Sequence, residues 1–251
     1  MKILKVSLLL LLLSFIYWAF SDTFFNWLFP FSSTGKGPWI TVEGVAPKYT
    51  EPYVSAMYKS KTCLDYEVDS QMSPHKVPTY HGLSLDIKAD PKTGHFQAKL
   101  PFSGGGWCKW KIDRAFVTVG YTDVSHLVKD ATMYKGGEGT GIAAFINDAV
   151  QTNLSETAAL NIIDYSPVIY PVLKMVYGSP NRIFARGEVG MRPFRLKLTP
   201  GAEWKITFKP KLDETKMPKI IIPPGKEPSR VEYPDGRVDL NRDSIDYWKI
   251  K

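Results

Sequence analysis

The chain lacks the short-spaced ligand sets that accompany metal or nucleophile chemistry. Its 251 residues hold two cysteines and four histidines, with no C-x-x-C or H-x-x-x-H pair from which a four-ligand zinc site could start. The nucleophile elbow G-x-S-x-G is absent. A glycine-rich run, KGGEGTG (Lys135 to Gly141), is followed by Ile142 and Ala143, where a phosphate loop needs lysine and a hydroxyl residue. SPHK (Ser73 to Lys76) and KTG (Lys92 to Gly94) imitate penicillin-binding elements. Pro74 and Pro78, however, oppose the helix that would carry the lysine to the serine, and no S-D-N stands between the two elements. His126 has Asp123 and Ser125 beside it in sequence, but members of a triad meet from distant segments. Acid pairs such as Asp213-Glu214 carry no spacing that sets two carboxylates about a glycosidic bond. The expectation is therefore a non-enzymatic protein without cofactor or metal. A hydrolase whose site leaves no local signature is the alternative.

Charge is scarce at the amino end. Between Lys5 and Lys36 the only charged residue is Asp22, and the run includes six consecutive leucines. Lys2 and Lys5 ahead of an apolar stretch form the arrangement of an export signal. A bilayer core takes about 20 residues of helix, which Val6 to Pro30 supplies. Residues 1–31 are read as an apolar helix retained as a signal-anchor, with cleavage after Ser21 as the alternative. The basic end stays inside. This predicts a single-pass protein of a bacterial inner membrane with its body in the periplasm, or a soluble periplasmic body after cleavage. A second long apolar run is missing, which excludes a polytopic channel or transporter. Residues 32–38, SSTGKGP, read as a tether, and residues 39–251 as a single domain. With 44% hydrophobic and 23% charged residues, that domain has the composition of a folded body. In an oxidising compartment an even cysteine count implies a bridge, Cys63–Cys108.

Period-two patterning supplies the strands. WITVEGV (Trp39 to Val45) alternates. HGLSLDIKA and FQAKLPF alternate on either side of ADPKTG and predict a hairpin. CKWKI puts Cys108, Trp110 and Ile112 on one face, and AFVTVGY adds a further strand. FRLKL and EWKITFKP, about the turn TPGA, predict a second hairpin, and RVEYPDGRVDL a third turning at Pro234-Asp235-Gly236. Between them GIAAFINDAV, SETAALNII and VLKMVYG show helical spacing, with Asn153 to Glu156 as a capping box. The predicted fold is α+β: mainly antiparallel, sandwich-like hairpins with a central helical insertion at about 142–177, preceded by the N-terminal apolar helix.

The net charge is +7, and from Lys174 to Lys219 eleven Lys or Arg stand against four acids. In the second hairpin Arg195, Lys197, Lys205 and Lys209 alternate with the apolar residues, which predicts a basic face for an acidic protein surface. A protein partner is expected, with membrane contact through the N-terminal segment and no nucleic acid.

The segment MKILKVSLLLLLL, the Cys63–Cys108 pair and a compact body free of enzyme motifs together resemble, in layout, the periplasmic immunity proteins that protect bacteria from interbacterial toxins. The resemblance implies protection by tight binding to a toxin, often by occluding its active site. It rests on layout over the whole chain, so no family residue is carried over. Assembly factors and subunits of membrane complexes share the same layout.

Overall fold

A computed structural model of the chain describes Leu10, Ser14 and residues 24–32, 37–133, 140–146, 159–199 and 201–250. The first part carries β1 (Trp39–Val45), β2 (Thr50–Val68), β3 (Pro74–Leu85), β4 (His95–Pro101), β5 (Ser103–Gly105) and β6 (Trp110–Tyr121). The middle carries β7 (Thr132–Met133), β8 (Gly141–Ile146), β9 (Ala159–Leu160), β10 (Ile162–Tyr165), β11 (Val168–Val176) and β12 (Arg182–Arg186). The last part adds β13 (Met191–Leu196), β14 (Lys205–Phe208), β15 (Lys211–Leu212), β16 (Lys219–Ile222), β17 (Arg230–Glu232) and β18 (Val238–Leu240). A 3-10 turn at Tyr247–Lys249 follows, and residues 24–28 form a short helical segment.

The strands assemble into three sheets. The first has the order β10-β14-β1-β4. The second runs β18-β17-β16-β11-β12-β7, with β15 beside β11. The third runs β3-β2-β6-β8-β13-β9, with β5 beside β6.

The architecture is nearly all β, which corrects the α+β expectation. Where described, the predicted helical insertion at about 142–177 is β8, β9, β10 and β11. The capping box Asn153 to Glu156 falls outside the described residues. The misreading has a physical source. β8 lies between β6, antiparallel to it, and β13, parallel to it, and five of its six residues are buried. β11 is flanked by antiparallel β12 and parallel β16 and is likewise buried over Ile169 to Leu173. A strand covered on both faces reads as a continuous apolar run rather than an alternation, and periodicity does not separate it from a helix.

Two predicted hairpins are also corrected. Of FRLKL, Phe194 to Leu196 lie in β13 of the third sheet, and of EWKITFKP, Lys205 to Phe208 form β14 of the first, so the two do not pair. β3 and β4 likewise belong to different sheets. β14 takes parallel partners on both sides, β1 and β10, which leaves Ile206, Thr207 and Phe208 buried. A turn signal is local, whereas parallel pairing joins segments far apart in sequence. The third hairpin is present: β17 and β18 pair antiparallel about Pro234-Asp235-Gly236, with Gly236 in the left-handed region at φ 88°.

Most of the predicted anchor lies outside the described residues. Among those described, no helix is long and apolar enough to cross a membrane. Its last part packs against protein: Trp107 N–H donates to Phe29 O at 2.9 Å, and the Phe25 ring stacks on Trp107 at 4.4 Å between centroids. The single-pass inner-membrane localisation built on that segment is accordingly withdrawn. Residues 33–36 of the tether lie outside the described residues.

Contacts divide the chain into two compact units. One comprises Met1–Pro38, Met57–Gly82 and Pro101–Asp113; the other comprises Trp39–Ala56, Leu83–Leu100 and Arg114–Lys251. In the second unit a cluster of Tyr170, Val172, Ile220, Val231, Tyr233, Tyr247 and Ile250 is closed by the C-terminal turn. Lys249 Nζ donates to both carboxylate oxygens of Asp239, at 2.6 and 2.7 Å, and Tyr233 Oη donates to Asp239 Oδ2 at 3.2 Å. The Lys249 hydrogen bond holds the Asp239 carboxyl below the ordinary carboxylate range and raises Lys249 above the usual lysine value.

These shifts fix the sign of a pH effect. A depressed acid stabilises the fold above its unfolded pKa, and that contribution is lost as pH falls through its folded value; a raised lysine stabilises below its unfolded pKa, and that is lost as pH rises through its folded value. The Asp239–Lys249 lock is thus fully engaged between about pH 4 and about pH 10. Asp239→Asn should lower the melting temperature at pH 7, and the gap from the parent should close as both are melted at pH 3 and below. A gap unchanged across that range would refute the lock.

Candidate functional site

The first unit is built around the disulfide. Cys63 and Cys108 are bonded, with Cα atoms 5.2 Å apart, and both are buried. Cys108, Trp110 and Ile112 are all buried, but Cys108 lies in the turn before β6, where Lys109 takes φ 49°, so its burial comes from the turn and the bridge and not from the strand alternation expected of CKWKI. The fully buried Ser60 ties the two segments together. Its hydroxyl donates to Cys108 O at 2.7 Å and accepts from the N–H groups of Thr62 and Cys63 at 3.0 and 2.8 Å. Thr79 Oγ1 donates to Cys63 O at 2.8 Å, fixing β3 beside β2 at the same level. Tyr58 is fully buried and donates to Pro101 O at 2.7 Å; burial pushes its phenol well above the usual tyrosine value.

Against this base packs Phe31, stacked on His81 at 4.6 Å and edge-on to Tyr58 at 4.8 Å. The glycines of SGGGW (Ser103 to Trp107) have a packing reason. A Cβ on Gly104 would stand 2.0 Å from the Phe31 ring, and one on Gly106 would stand 2.5 Å from Pro30 O.

Beyond Cys63 the character changes. Leu64 to Val68 are exposed on both faces of β2, and β3 returns with Pro74, His75 and Lys76 exposed. This is a two-stranded arm with a stapled base. Leu64, Tyr66 and Val68 form one row, and Asp65 and Glu67 the other, because side chains alternate across a strand. The turn is an Asx type: Asp69 Oδ1 accepts from the N–H groups of Gln71 and Ser73, each at 2.9 Å. Met72, at its tip, has φ 61° and is 81% exposed. A large apolar side chain in the left-handed region, held in solvent, is the kind of local strain found at recognition sites. Lys76 stands over the Tyr66 ring at 5.2 Å and Lys59 over Tyr80 at 5.7 Å. β3 is the outer strand of its sheet and carries Pro74 and Pro78, neither of which has an N–H to offer.

The sequence-predicted basic residues do not share a hairpin. Arg195 is half-buried in β13, and its Nε is buried without a hydrogen-bond partner. Lys197 is exposed just after β13, and its carbonyl accepts from Trp204 Nε1 at 3.2 Å. Lys205, in β14, pairs with Glu43 Oε1 at 2.9 Å, a bond that raises its pKa. Lys209 is exposed beyond β14, with its N–H on Tyr165 O at 3.1 Å.

His126 finds its partner at a distance rather than beside it in sequence. Its Nε2 lies 2.9 Å from Glu214 Oε1, and Tyr121 Oη donates to the same oxygen at 3.2 Å. The Tyr49 ring stacks on the imidazole at 4.0 Å, and burial, then Glu214, raises the Tyr121 phenol. Asp123 instead accepts from the N–H of Ser125, capping the turn. Ser73 and Lys92 serve turns as well. Of KGGEGTG only Thr140 and Gly141 are described, and Thr140 Oγ1 donates to Val189 O at 2.8 Å. No group of metal-ligating residues occurs among the described residues.

No protein-family model matches the chain, no curated protein matches it in sequence and no solved structure matches its fold.

The disulfide separates residues 45 apart in sequence. In the chain-entropy picture a loop of that size stabilises by about 4 kcal/mol. Cys108→Ser should therefore melt several degrees lower in oxidising buffer, and limited proteolysis should cut between Lys61 and Thr79 faster than in the parent. Equal cutting rates would show that the arm does not depend on the staple.

Proposed function

We propose that this chain is a non-enzymatic binding protein whose stapled arm inserts into a groove of a partner protein. The observation that carries this reading is the uncovered apolar row Leu64–Tyr66–Val68 on a ribbon exposed on both faces. A two-stranded hairpin alone is marginal in water, yet here a disulfide and Ser60 hold the base while the apolar row is left without a covering layer. Tyrosine flanked by aliphatic side chains is an effective anchor for a partner's pocket.

Charge selects the partner. Asp65, Glu67 and Asp69 against Lys76 leave the arm net acidic in a chain whose net charge is +7. The complementary surface is an apolar groove with a basic rim. Two copies of the chain, each at +7, repel one another at long range, which favours a different protein over a second copy. An immunity protein that neutralises a toxin by tight binding is the specific form that the layout resemblance adds.

The test uses the parent protein and the variant Leu64→Ser/Tyr66→Ser/Val68→Ser. A partner captured by the parent is purified and titrated against both. The variant should bind at least about 100-fold more weakly, because truncating central anchors costs about 2 kcal/mol or more each, while its melting temperature stays close to the parent's. Equal affinity would remove the arm from the interface. Dimerisation of the parent at micromolar concentration that the variant loses would make the occupant a second copy instead. If the partner is a toxin, equimolar parent should abolish its activity.

A second reading rests on the His126–Glu214 pair: a hydrolase in which Glu214 orients His126 as general base for water. His126→Ala should then abolish turnover on a panel of ester, amide and glycoside substrates while leaving partner binding intact. Absence of turnover in the parent, or turnover that survives in the variant, would dismiss it.

A further inference from the structure

The arm has two long edges, and they are not equivalent. At its tip Asp69 N–H donates to Ser73 O at 3.2 Å, so the backbone groups of Asp69 turn toward β3. In an antiparallel ladder that direction alternates from residue to residue. Asp65 and Glu67 therefore also turn toward β3, whereas Leu64, Tyr66 and Val68 turn their N–H and C=O groups to the opposite edge. The same pairing sets Tyr66 opposite Lys76, and the Lys76 ammonium lies 5.2 Å from the Tyr66 ring centroid. On β3 the outward positions are Pro74, Lys76 and Pro78, of which only Lys76 carries an N–H.

The edge of β2 has no such guard. Nearer the base it is occupied by β6. The two strands run antiparallel, with Thr122 N–H on Tyr49 O at 2.8 Å toward one end and Cys63 bonded to Cys108 toward the other. Since β6 begins at Trp110, it stops short of the arm. Leu64 to Val68 continue past it, each of them exposed. The residues that bear the apolar row are thus the same ones whose backbone groups face the open edge.

We propose, on the reading that the arm is the interface, that the partner adds an extended segment as an antiparallel strand along Leu64–Val68, in the place that β6 holds at the base. Main-chain bonds to Leu64, Tyr66 and Val68 supply the attachment, and alternate side chains supply the selection. Directly opposed residues share a face. The segment is therefore apolar where it lies beside Leu64, Tyr66 and Val68, and basic where it lies beside Asp65 and Glu67. A second copy is a poor occupant, because two arms laid antiparallel about Tyr66 set Asp65 against Glu67 in both directions. Pro74 and Pro78 close the other edge, so addition stops at one segment.

The probe is a capped peptide of alternating valine and lysine, titrated against the full chain. It should bind saturably, slow hydrogen exchange at the amides of Leu64, Tyr66 and Val68, and bind more tightly than a valine–glutamate peptide. Tyr66→Pro and Tyr66→Ser both lose the ring, but only the proline also loses the outward donor. Tyr66→Pro should bind at least about fivefold more weakly than Tyr66→Ser, the loss of one backbone bond. Should the proline variant lose the arm's fold, N-methylated peptides decide with the parent. Methyl groups on the valine nitrogens remove the donors aimed at the arm and should abolish binding, whereas methyl groups on the lysine backbone nitrogens should not. No binding of the valine–lysine peptide, slowed exchange confined to other strands, or equal binding of the two methylated peptides would each overturn the proposal. If serine substitution of the row weakens binding while the proline and the methyl groups have no effect of their own, the arm remains the interface through side chains alone and strand addition falls.

Discussion

The cross-link at Cys63–Cys108 is the contact on which the first unit depends, and its neighbour Ser60 makes it rigid. A disulfide alone joins two side chains. Here one buried hydroxyl also ties the Cys108 carbonyl to the amides of Thr62 and Cys63, so the two backbones are fixed as well as the sulfurs. Replacing Ser60 by an apolar residue would leave three backbone groups without their partner in a buried place, the costly side of hydrogen-bond arithmetic. Past that point β2 runs beside β3 and ends in the turn that Asp69 caps. The arm is therefore stiff at its root and open along its length, which reduces the ordering that docking must impose.

The second unit depends on a different constraint, the joining of strands far apart in the chain. β14 lies between β1 and β10, and β13 lies beside β8. Such pairings reward the chain only after long loops have closed, so a fold of this topology belongs with the slow class. The C-terminal residues complete the second sheet's cluster, since Tyr247 and Ile250 are part of its core. Its packing therefore includes residues from the very end of the described chain.

Some of this was legible in the sequence and some was not. The bridge, the inward face of Trp110 and Ile112, β1 with its bounds, and the β17–β18 turn all follow from local signals: alternation, cysteine parity and a Pro-Asp-Gly turn. The failures share one cause. GIAAFI and VLKMV are central strands covered on both faces, and the alternation that would have marked them is erased by that coverage. FRLKL and KITF alternate well enough to be strands, but nothing local says that one belongs to the third sheet and the other to the first. Hence Arg195, Lys197, Lys205 and Lys209 were grouped by sequence proximity and are dispersed by topology. The arm could have been found, because Leu64, Tyr66 and Val68 alternate with Asp65 and Glu67 ahead of a DSQMSP turn. The His126–Glu214 pair could not, since 88 residues separate the two.

The prolines of β3 have a meaning beyond the strand itself. An apolar ribbon with an open outer edge is a template onto which further strands can add, and addition of one invites the next. Pro74 and Pro78 remove two donors from that edge, and the lysine between them places a charge there. Backbone-mediated growth into a fibre is thereby obstructed at the place where the exposed side chains would otherwise encourage it. What remains available on the arm is a finite set of groups, able to satisfy one complementary surface and unable to propagate.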